Sequence, residues 1–260
     1  MPSGEYARYV ALGDSQTEGI GDGDDSVGLR GWADRLAEQL TAVNPGLQYA
    51  NLAVRGRGAG QVRAGQLGPA LALRPDLATV VAGVNDLLRP RCDVAAVAGQ
   101  LEEMFAALTA AGAQVATLTI PDVGKIAPLA RPVRSRVSEL NTHIRAAAAR
   151  HGVAVAEIAR HPVATDPRLW SVDRLHASPL GHARIAAAVA QAIELPHSDD
   201  AWTFPLPPQE LLTGRQSAAA ELRWAAAFLG PWLGRRLRGR SSGDGRTAKR
   251  PHLLPLNAGT

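Results

Sequence analysis

The sequence contains a single cysteine, Cys92, among its 260 residues. One cysteine excludes an intrachain disulfide, and it also excludes a metal site built from several thiolates. We therefore interpret Cys92 as a small, half-buried packing residue. Aromatic residues are also scarce, at 4% of the chain, and alanine is the most common apolar residue. This composition predicts a core made of close helix–sheet contacts.

Long apolar runs are absent as well. No stretch of about 18 apolar residues occurs, so the sequence predicts no membrane-spanning helix. No basic segment followed by an apolar one precedes the first predicted strand, so we expect no signal peptide and a cytoplasmic location. With 46% hydrophobic and 20% charged residues, the composition is typical of a soluble globular protein.

The net charge of +4 is confined to one end of the chain. Residues 1–195 carry 19 basic and 19 acidic side chains, whereas residues 196–260 carry 9 basic and 5 acidic ones. The body of the protein therefore offers no general attraction to nucleic acid, and we expect no nucleic-acid partner. Any interaction with a polyanion is expected to involve only the C-terminal segment.

The most informative stretch is GDSQTEG at residues 13–19, directly after the apolar run YVAL at residues 9–12. The apolar run predicts a buried strand, and the polar cluster with its two glycines predicts a tight turn. A serine in that turn lies at the carboxyl end of a strand, where open α/β sheets place their chemistry. The alternative is that Asp14 and Ser15 only cap the next helix.

Strands and helices alternate along the rest of the chain. The pattern predicts strands over 9–12, 47–51, 77–82, 114–120 and 153–156, and helices over 32–43, 94–111, 137–150 and 179–195. This alternation predicts a three-layer α/β/α sandwich with a five-stranded parallel sheet, in the flavodoxin-like order 2-1-3-4-5. The ends of strands one, two and three then lie side by side, which brings Ser15, Gly56 and Asn85 together.

Acyl transfer needs a nucleophile, a base, a group that orients the base, and donors for the oxyanion. Ser15 is the candidate nucleophile and His176 the candidate base, while Asp173 lies three residues earlier and can hold the imidazole. The candidate oxyanion donors are the backbone N–H groups of Ser15 and Gly56 and the side-chain amide of Asn85.

These residues resemble the SGNH hydrolase superfamily, also called GDSL esterases and lipases. The family's four blocks match Gly13-Asp14-Ser15 with Gly19, Gly56 after Asn51, Gly83-x-Asn85-Asp86, and Asp173-x-x-His176, in the same order over residues 8–194. The resemblance implies the fold and the roles given above, an acyl-serine intermediate, and no metal or organic cofactor. The chain has no G-x-S-x-G elbow, which argues against the other large serine-hydrolase fold.

Other polar residues have simpler interpretations. We expect Asp14 and Asp86 to brace their turns, His182 to be a surface residue or a supporting one, and the remaining core histidines to be structural; these are His143, His151 and His161. The acidic loop over residues 19–25 departs from the calcium-loop pattern and lacks its terminal glutamate, so it predicts a solvated loop. The third glycine of Gly56-x-Gly58-x-Gly60 is misplaced for a dinucleotide site.

Residues 196–260 differ in composition from the hydrolase domain predicted over 1–195. We expect a proline-containing linker, a helix from 209 to about 237, and a basic tail without regular structure. The helix is expected to pack on the body; the alternative is a peripheral contact with an anionic membrane surface.

The sequence therefore predicts a serine esterase acting on small-molecule, lipid or glycan esters. Two alternatives remain open. One is an O-acyltransferase of the same fold, in which an alcohol replaces water as acceptor. The other is a non-catalytic module that binds glycan or lipid. The intact set of five site residues argues against this last alternative.

Overall fold

A computed structural model gives the fold of the protein, and it describes residues 5–208 and 242–256. The strands are β1 (Arg8–Gly13), β2 (Gly23–Asp24), β3 (Gly28–Leu29), β4 (Gln48–Asn51), β5 (Leu77–Val81), β6 (Gln114–Leu118), β7 (Ala154–Ala156) and β8 (Arg250–Pro255). The α-helices are α1 (Ser15–Glu18), α2 (Trp32–Val43), α3 (Ala59–Val62), α4 (Gly68–Ala72), α5 (Val84–Leu87), α6 (Val94–Ala110), α7 (Val123–Ile126), α8 (Arg134–His151) and α9 (Pro179–Ala192).

The main sheet has the order β7-β6-β5-β1-β4-β8. Its first five strands are parallel, and β1 pairs with β4 on one side and β5 on the other. When these five strands are numbered by their order along the chain, their order across the sheet is 2-1-3-4-5. This confirms the predicted order. Strand β1 is central because its side chains from Tyr9 to Leu12 are fully buried and pack on both layers of helices.

Helices cover both faces of the sheet. On one face α2 and α9 pack beside each other over a core that includes Trp32, Leu36 and Val189. On the other face α6 and α8 pack over a core that includes Phe105, Leu101 and Leu140. This arrangement is the predicted three-layer sandwich, and it leaves the carboxyl ends of the parallel strands for the site.

Helix α9 shows how local sequence sets an element's start. The Ser178 side chain accepts a hydrogen bond from the Gly181 N–H, and Pro179 occupies the first helical position, where its missing N–H costs nothing. The predicted start at residue 179 is therefore confirmed. The helix ends at Ala192, three residues before the predicted end.

The sixth strand corrects the prediction for the C-terminal tail. Strand β8 pairs antiparallel with β4, so the sheet has one strand more than expected and residues 250–255 are not an irregular tail. Its pairing is reinforced by Arg250, whose guanidinium donates to the Tyr49 carbonyl at 2.9 Å and lies over the Tyr49 ring. The predicted helix over 209–237 lies outside the described residues, and so its packing and membrane contact remain predictions.

Within the two described ranges, no helix combines the length and the apolar character that a membrane crossing requires.

Candidate active site

Ser15 is the first residue of α1 and follows the sharp turn at the end of β1. The Asp14 side chain caps this short helix by accepting a hydrogen bond from the Gln16 N–H at 3.2 Å. Gly13 has no room for a side chain, because an added Cβ would overlap Thr17 Oγ1 and the Val81 carbonyl oxygen. Ser15 therefore lies just beyond the carboxyl end of the central strand, where it is half-buried.

His176 lies in the loop before α9 and bridges Ser15 and Asp173. Its Nε2 is 2.9 Å from Ser15 Oγ, and its Nδ1 is 2.6 Å from Asp173 Oδ2. The other carboxylate oxygen of Asp173 accepts from Ser171 Oγ and from the Leu175 and His176 N–H groups. Burial opposes ionisation of Asp173, but the hydrogen bond and charge of His176 hold its pKa below the usual value. The three side chains thus form a chain from hydroxyl to ring to carboxylate.

Gln16 connects the serine turn to the histidine loop, and sequence reasoning missed it. Its amide nitrogen donates to the Leu175 carbonyl at 2.6 Å, and its oxygen accepts from the Ala177 N–H at 3.3 Å. These two bonds flank His176 along the chain. No local pattern marks this residue, because its partners lie about 160 residues away in sequence.

Asn85 lies in the first turn of α5, next to the end of β5. Its side-chain nitrogen donates to Asp14 Oδ2 at 3.1 Å and to the Arg57 carbonyl at 3.0 Å. Asp14 is buried, and burial raises its pKa to about 6. Asp86 accepts a hydrogen bond from the Ala59 N–H at 2.7 Å. Both carboxylates therefore brace neighbouring turns.

Gly56 lies in the loop after β4 with φ of +76°, a backbone conformation that favours glycine. The residue before it, Arg55, pairs with the buried Glu18 carboxylate, with Nη2 2.7 Å from Oε1 and the backbone N–H 2.6 Å from Oε2. Arg55 also pairs with Asp25 at 2.7 Å. This ion-pair cluster fixes the loop that carries Gly56, and it shows that part of the acidic loop is engaged by arginine. Sequence reasoning assigned no role to Glu18 or Arg55.

The five predicted residues come together in one cleft. Ser15, Gly56, Asn85, Asp173 and His176 all line it, and its volume is about 940 Å³ when space open to solvent is included. Ser242, from the C-terminal segment, also contributes to its wall. A hydroxyl, an imidazole, a carboxylate and a side-chain amide are thus positioned around one accessible space.

The sequence matches the model of the GDSL-like Lipase/Acylhydrolase family over residues 11–184. The chain belongs to this family. Together with this membership, the fold and the cleft make the protein a GDSL-type carboxylic ester hydrolase. No curated protein matches the sequence.

Comparison with solved structures supports the assignment of the three-layer fold. LAE5, an α/β-hydrolase enzyme from the metagenome of Lake Arreo, superposes with a TM-score of 0.61 at 22% identity, covering 72% of this chain and 95% of that one. The acetylxylan esterase Axe2 from Geobacillus stearothermophilus gives 0.61 at 18% identity, covering 78% and 99%. A lipase/acylhydrolase from Enterococcus faecalis gives 0.57 at 24% identity, covering 72% and 95%.

The other histidines of this GDSL hydrolase lie outside the cleft's lining. His151 contacts Glu102, with Nε2 3.1 Å from Oε1. The His161 ring packs edge-on against Trp202. Buried His182 proves more than a surface residue: its Nδ1 accepts from the Trp32 N–H at 3.1 Å, and its Nε2 donates to the Ile20 carbonyl at 3.0 Å. It therefore fixes the loop after the serine turn to α2 and α9.

We expect His182 to make the protein sensitive to acid. Burial lowers its pKa to about 4, from 6.5 for an unperturbed histidine. As the pH falls from 6.5 to 4, the unfolded chain takes up the proton and the folded protein does not, so stability falls by about 3 kcal/mol. His182→Gln removes this contribution, because an amide keeps a donor and an acceptor but does not titrate in this range.

Urea unfolding at pH 7 and pH 4 measures the effect. The wild type is expected to lose more stability than His182→Gln between the two pH values, and the exposed His252→Gln is expected to behave as the wild type does. An equal loss in His182→Gln and the wild type would contradict the assignment.

Proposed function

We propose that the protein hydrolyses carboxylic esters through an acyl-serine intermediate formed on Ser15. The observation that carries the proposal is the unbroken line of contacts from Ser15 Oγ to His176 Nε2 at 2.9 Å and from His176 Nδ1 to Asp173 Oδ2 at 2.6 Å. A serine hydroxyl is a weak nucleophile unless a base removes its proton, and this geometry supplies that base.

In the acylation step, Ser15 Oγ bonds to the ester carbonyl carbon while its proton moves to His176 Nε2. The tetrahedral oxyanion collapses, the bond to the alcohol oxygen breaks, and that oxygen takes the proton from His176. In deacylation, His176 takes a proton from water as the water oxygen bonds to the acyl carbon. The bond between the acyl carbon and Ser15 Oγ then breaks, Ser15 Oγ takes the proton from His176, and the carboxylic acid leaves. Asp173 keeps Nδ1 protonated throughout and stabilises the transient imidazolium.

The oxyanion is proposed to bind the Ser15 and Gly56 N–H groups and the Asn85 amide. The amide nitrogen of Asn85 already donates to Asp14 and to the Arg57 carbonyl. One of its hydrogens must therefore be shared with the oxyanion or move to it as negative charge develops. The buried Asp14 carboxylate holds the amide in place for this exchange.

Asn85→Ala is expected to lower kcat by about 10²–10³-fold, the usual effect of removing one oxyanion donor. KM should change little, because the donor acts on charge that develops only in the transition state. Steady-state hydrolysis of p-nitrophenyl esters separates the two constants. An increase in KM with kcat unchanged would assign Asn85 to substrate binding instead.

Labelling with a fluorophosphonate probe tests the nucleophile independently of the natural substrate. The phosphorus takes the place of the acyl carbon, fluoride leaves, and the adduct remains on the activated serine. Intact mass should show one adduct on the wild type and none on Ser15→Ala. Ser26 is an exposed serine in the β2–β3 turn, and the control variant Ser26→Ala should be labelled to the same extent as the wild type. Equal labelling of Ser15→Ala would overturn the assignment of the nucleophile.

A further inference from the structure

A second cavity lies directly beside the cleft, and its walls are mostly apolar. It is bounded by the carboxyl ends of β5 and β6, the loop between β7 and α9, and one side of α9. Its walls include Val81, Leu118, Ile158, Leu169 and Ile185. We call this space the apolar chamber.

The apolar chamber and the catalytic cleft share part of their walls. Asp14, Gln16 and Val84 line both spaces. Two of these residues flank Ser15 in sequence, and Ala177, which follows His176, also lines the chamber. Ser15 itself lines the cleft and not the chamber, so an acyl group on Ser15 starts in the cleft, beside the wall that the two spaces share.

Thr117 and Arg184, two polar side chains of the chamber wall, are engaged with the protein. Thr117 donates to the Val80 carbonyl at 2.8 Å, and Arg184 donates to the Ala201 and Phe204 carbonyls at 3.3 and 2.7 Å. The indole nitrogen of Trp32 is buried and has no hydrogen-bond partner. Recognition of a sugar needs several converging polar groups, and one indole N–H does not provide them.

We infer that the apolar chamber holds the acyl chain of the ester, so that the enzyme favours acyl groups several methylenes longer than acetyl. The inference rests on the proposed acyl-serine mechanism. The acyl group stays attached to Ser15 throughout the acyl-enzyme intermediate. An adjoining apolar space therefore stabilises the acyl group more than it stabilises the alcohol, which leaves. The alcohol and the incoming water use the cleft, whose lining includes the polar residues Arg55, Asn85 and Ser242.

A series of p-nitrophenyl esters from acetyl to octanoyl tests this acyl preference. Each methylene that enters the chamber is expected to raise kcat/KM by about fourfold, the effect of burying one CH₂ group, until the chamber is full. A maximum at acetyl, or no dependence on length, would overturn the inference. Ser15-dependent turnover of the acetyl ester would support the proposed function whether or not longer acyl groups are preferred. A failure of the acyl-chain inference is therefore distinguishable from a failure of the proposed function.

Substitutions that fill the chamber provide the matched test. Ile185→Trp places a larger ring on the α9 wall, and it is expected to lower the octanoyl-to-acetyl preference by about tenfold or more while acetyl turnover stays near that of the wild type. Leu180→Trp is the control, because Leu180 is an exposed residue of the same helix that does not line the chamber. An unchanged preference in Ile185→Trp would contradict the inference.

Ala164→Leu fills the chamber from the loop between β7 and α9, and it serves as a second variant if Ile185→Trp does not fold. A drop in the octanoyl-to-acetyl preference is expected for this variant also. An unchanged preference in a folded Ala164→Leu would likewise count against the chamber.

A binding measurement needs no catalysis. Trp32, Trp170 and Trp202 line the chamber, so a terminally brominated dodecanoate held there should quench tryptophan fluorescence in a saturable way. The signal should persist in Ser15→Ala and weaken in Ala164→Leu. Absence of saturable quenching in the wild type would overturn the chamber as a site for acyl chains. Saturable quenching that is unchanged in Ala164→Leu would place the chain elsewhere.

A series of butyrate esters with lengthening alkyl alcohols separates the two ends of the substrate. The apolar chamber predicts a weaker dependence on alcohol length than on acyl length. The reverse dependence would assign the chamber to the alcohol and contradict the inference.

Discussion

Ser15→Ala is expected to lower kcat by about 10⁶-fold, and His176→Ala by a similar factor, as for a serine and its base that act as one unit. Ser15 Oγ lies 2.9 Å from His176 Nε2 and is the group that bonds to the acyl carbon in the proposed mechanism. Without the hydroxyl no acyl-enzyme forms, and without the imidazole the hydroxyl keeps its proton. Hydrolysis of p-nitrophenyl butyrate measures both losses.

The double variant sharpens this prediction. Because the two residues act together, Ser15→Ala combined with His176→Ala should be no slower than either single variant. Ser26→Ala is the matched control and should keep wild-type turnover. Wild-type activity in folded Ser15→Ala would remove the basis of the proposed mechanism.

Asp173→Asn is expected to lower kcat by about 10⁴-fold, since an amide in place of the carboxylate favours the wrong tautomer of the histidine. At present Asp173 Oδ2 holds Nδ1 at 2.6 Å, and Oδ1 accepts from Ser171 Oγ, Leu175 N–H and His176 N–H. An asparagine must direct its NH₂ group either at Nδ1 or at these three donors. In the first case Nδ1 becomes an acceptor, and Nε2 then carries the proton and cannot take one from Ser15.

A smaller loss would be expected if a backbone carbonyl oriented the ring in place of Asp173. In the structure, His176 Nδ1 contacts Asp173 Oδ2, and the Leu175 and His176 N–H groups donate to Asp173 Oδ1. Asp166→Asn offers a control, because Asp166 pairs with Arg168 and does not line the cleft. A loss smaller than about tenfold in Asp173→Asn would show that Asp173 is not needed to orient His176.

Much of the fold follows from local sequence. Helix α2 has the predicted bounds of 32–43 because its apolar residues repeat at helical spacing and Pro45-Gly46 follows its end. The order of the parallel strands follows from the alternation of strands and helices, which allows few arrangements. The same order brings the ends of β1, β4 and β5 together, and so the positions of Ser15, Gly56 and Asn85 could be predicted.

Strand β8 could not be predicted in this way. Its residues include two prolines and an arginine, which favour a loop or an edge, and its pairing depends on an exposed strand edge formed some 200 residues earlier. Electrostatic contacts add to the attachment: Arg246 pairs with Asp25, and Lys249 pairs with Asp34, both at 2.6 Å. Such contacts between distant segments leave no periodic pattern in the sequence.

The supporting residues of the site were missed for the same reason. Glu18 and Arg55 form their pair across 37 positions, and Gln16 reaches the histidine loop across about 160. Each has an ordinary local interpretation as a polar residue in a turn. The apolar chamber combines residues from many separate segments, and therefore only the folded structure reveals it.

Trapping the covalent intermediate tests the central claim most directly. The enzyme is mixed with excess p-nitrophenyl butyrate, quenched in acid within the steady state, and digested for peptide mass analysis. The proposed mechanism predicts a butyryl mass increase on the peptide that contains Ser15, and none in Ser15→Ala. Turnover without any acyl adduct on that peptide, or an adduct on another residue that is needed for turnover, would contradict it.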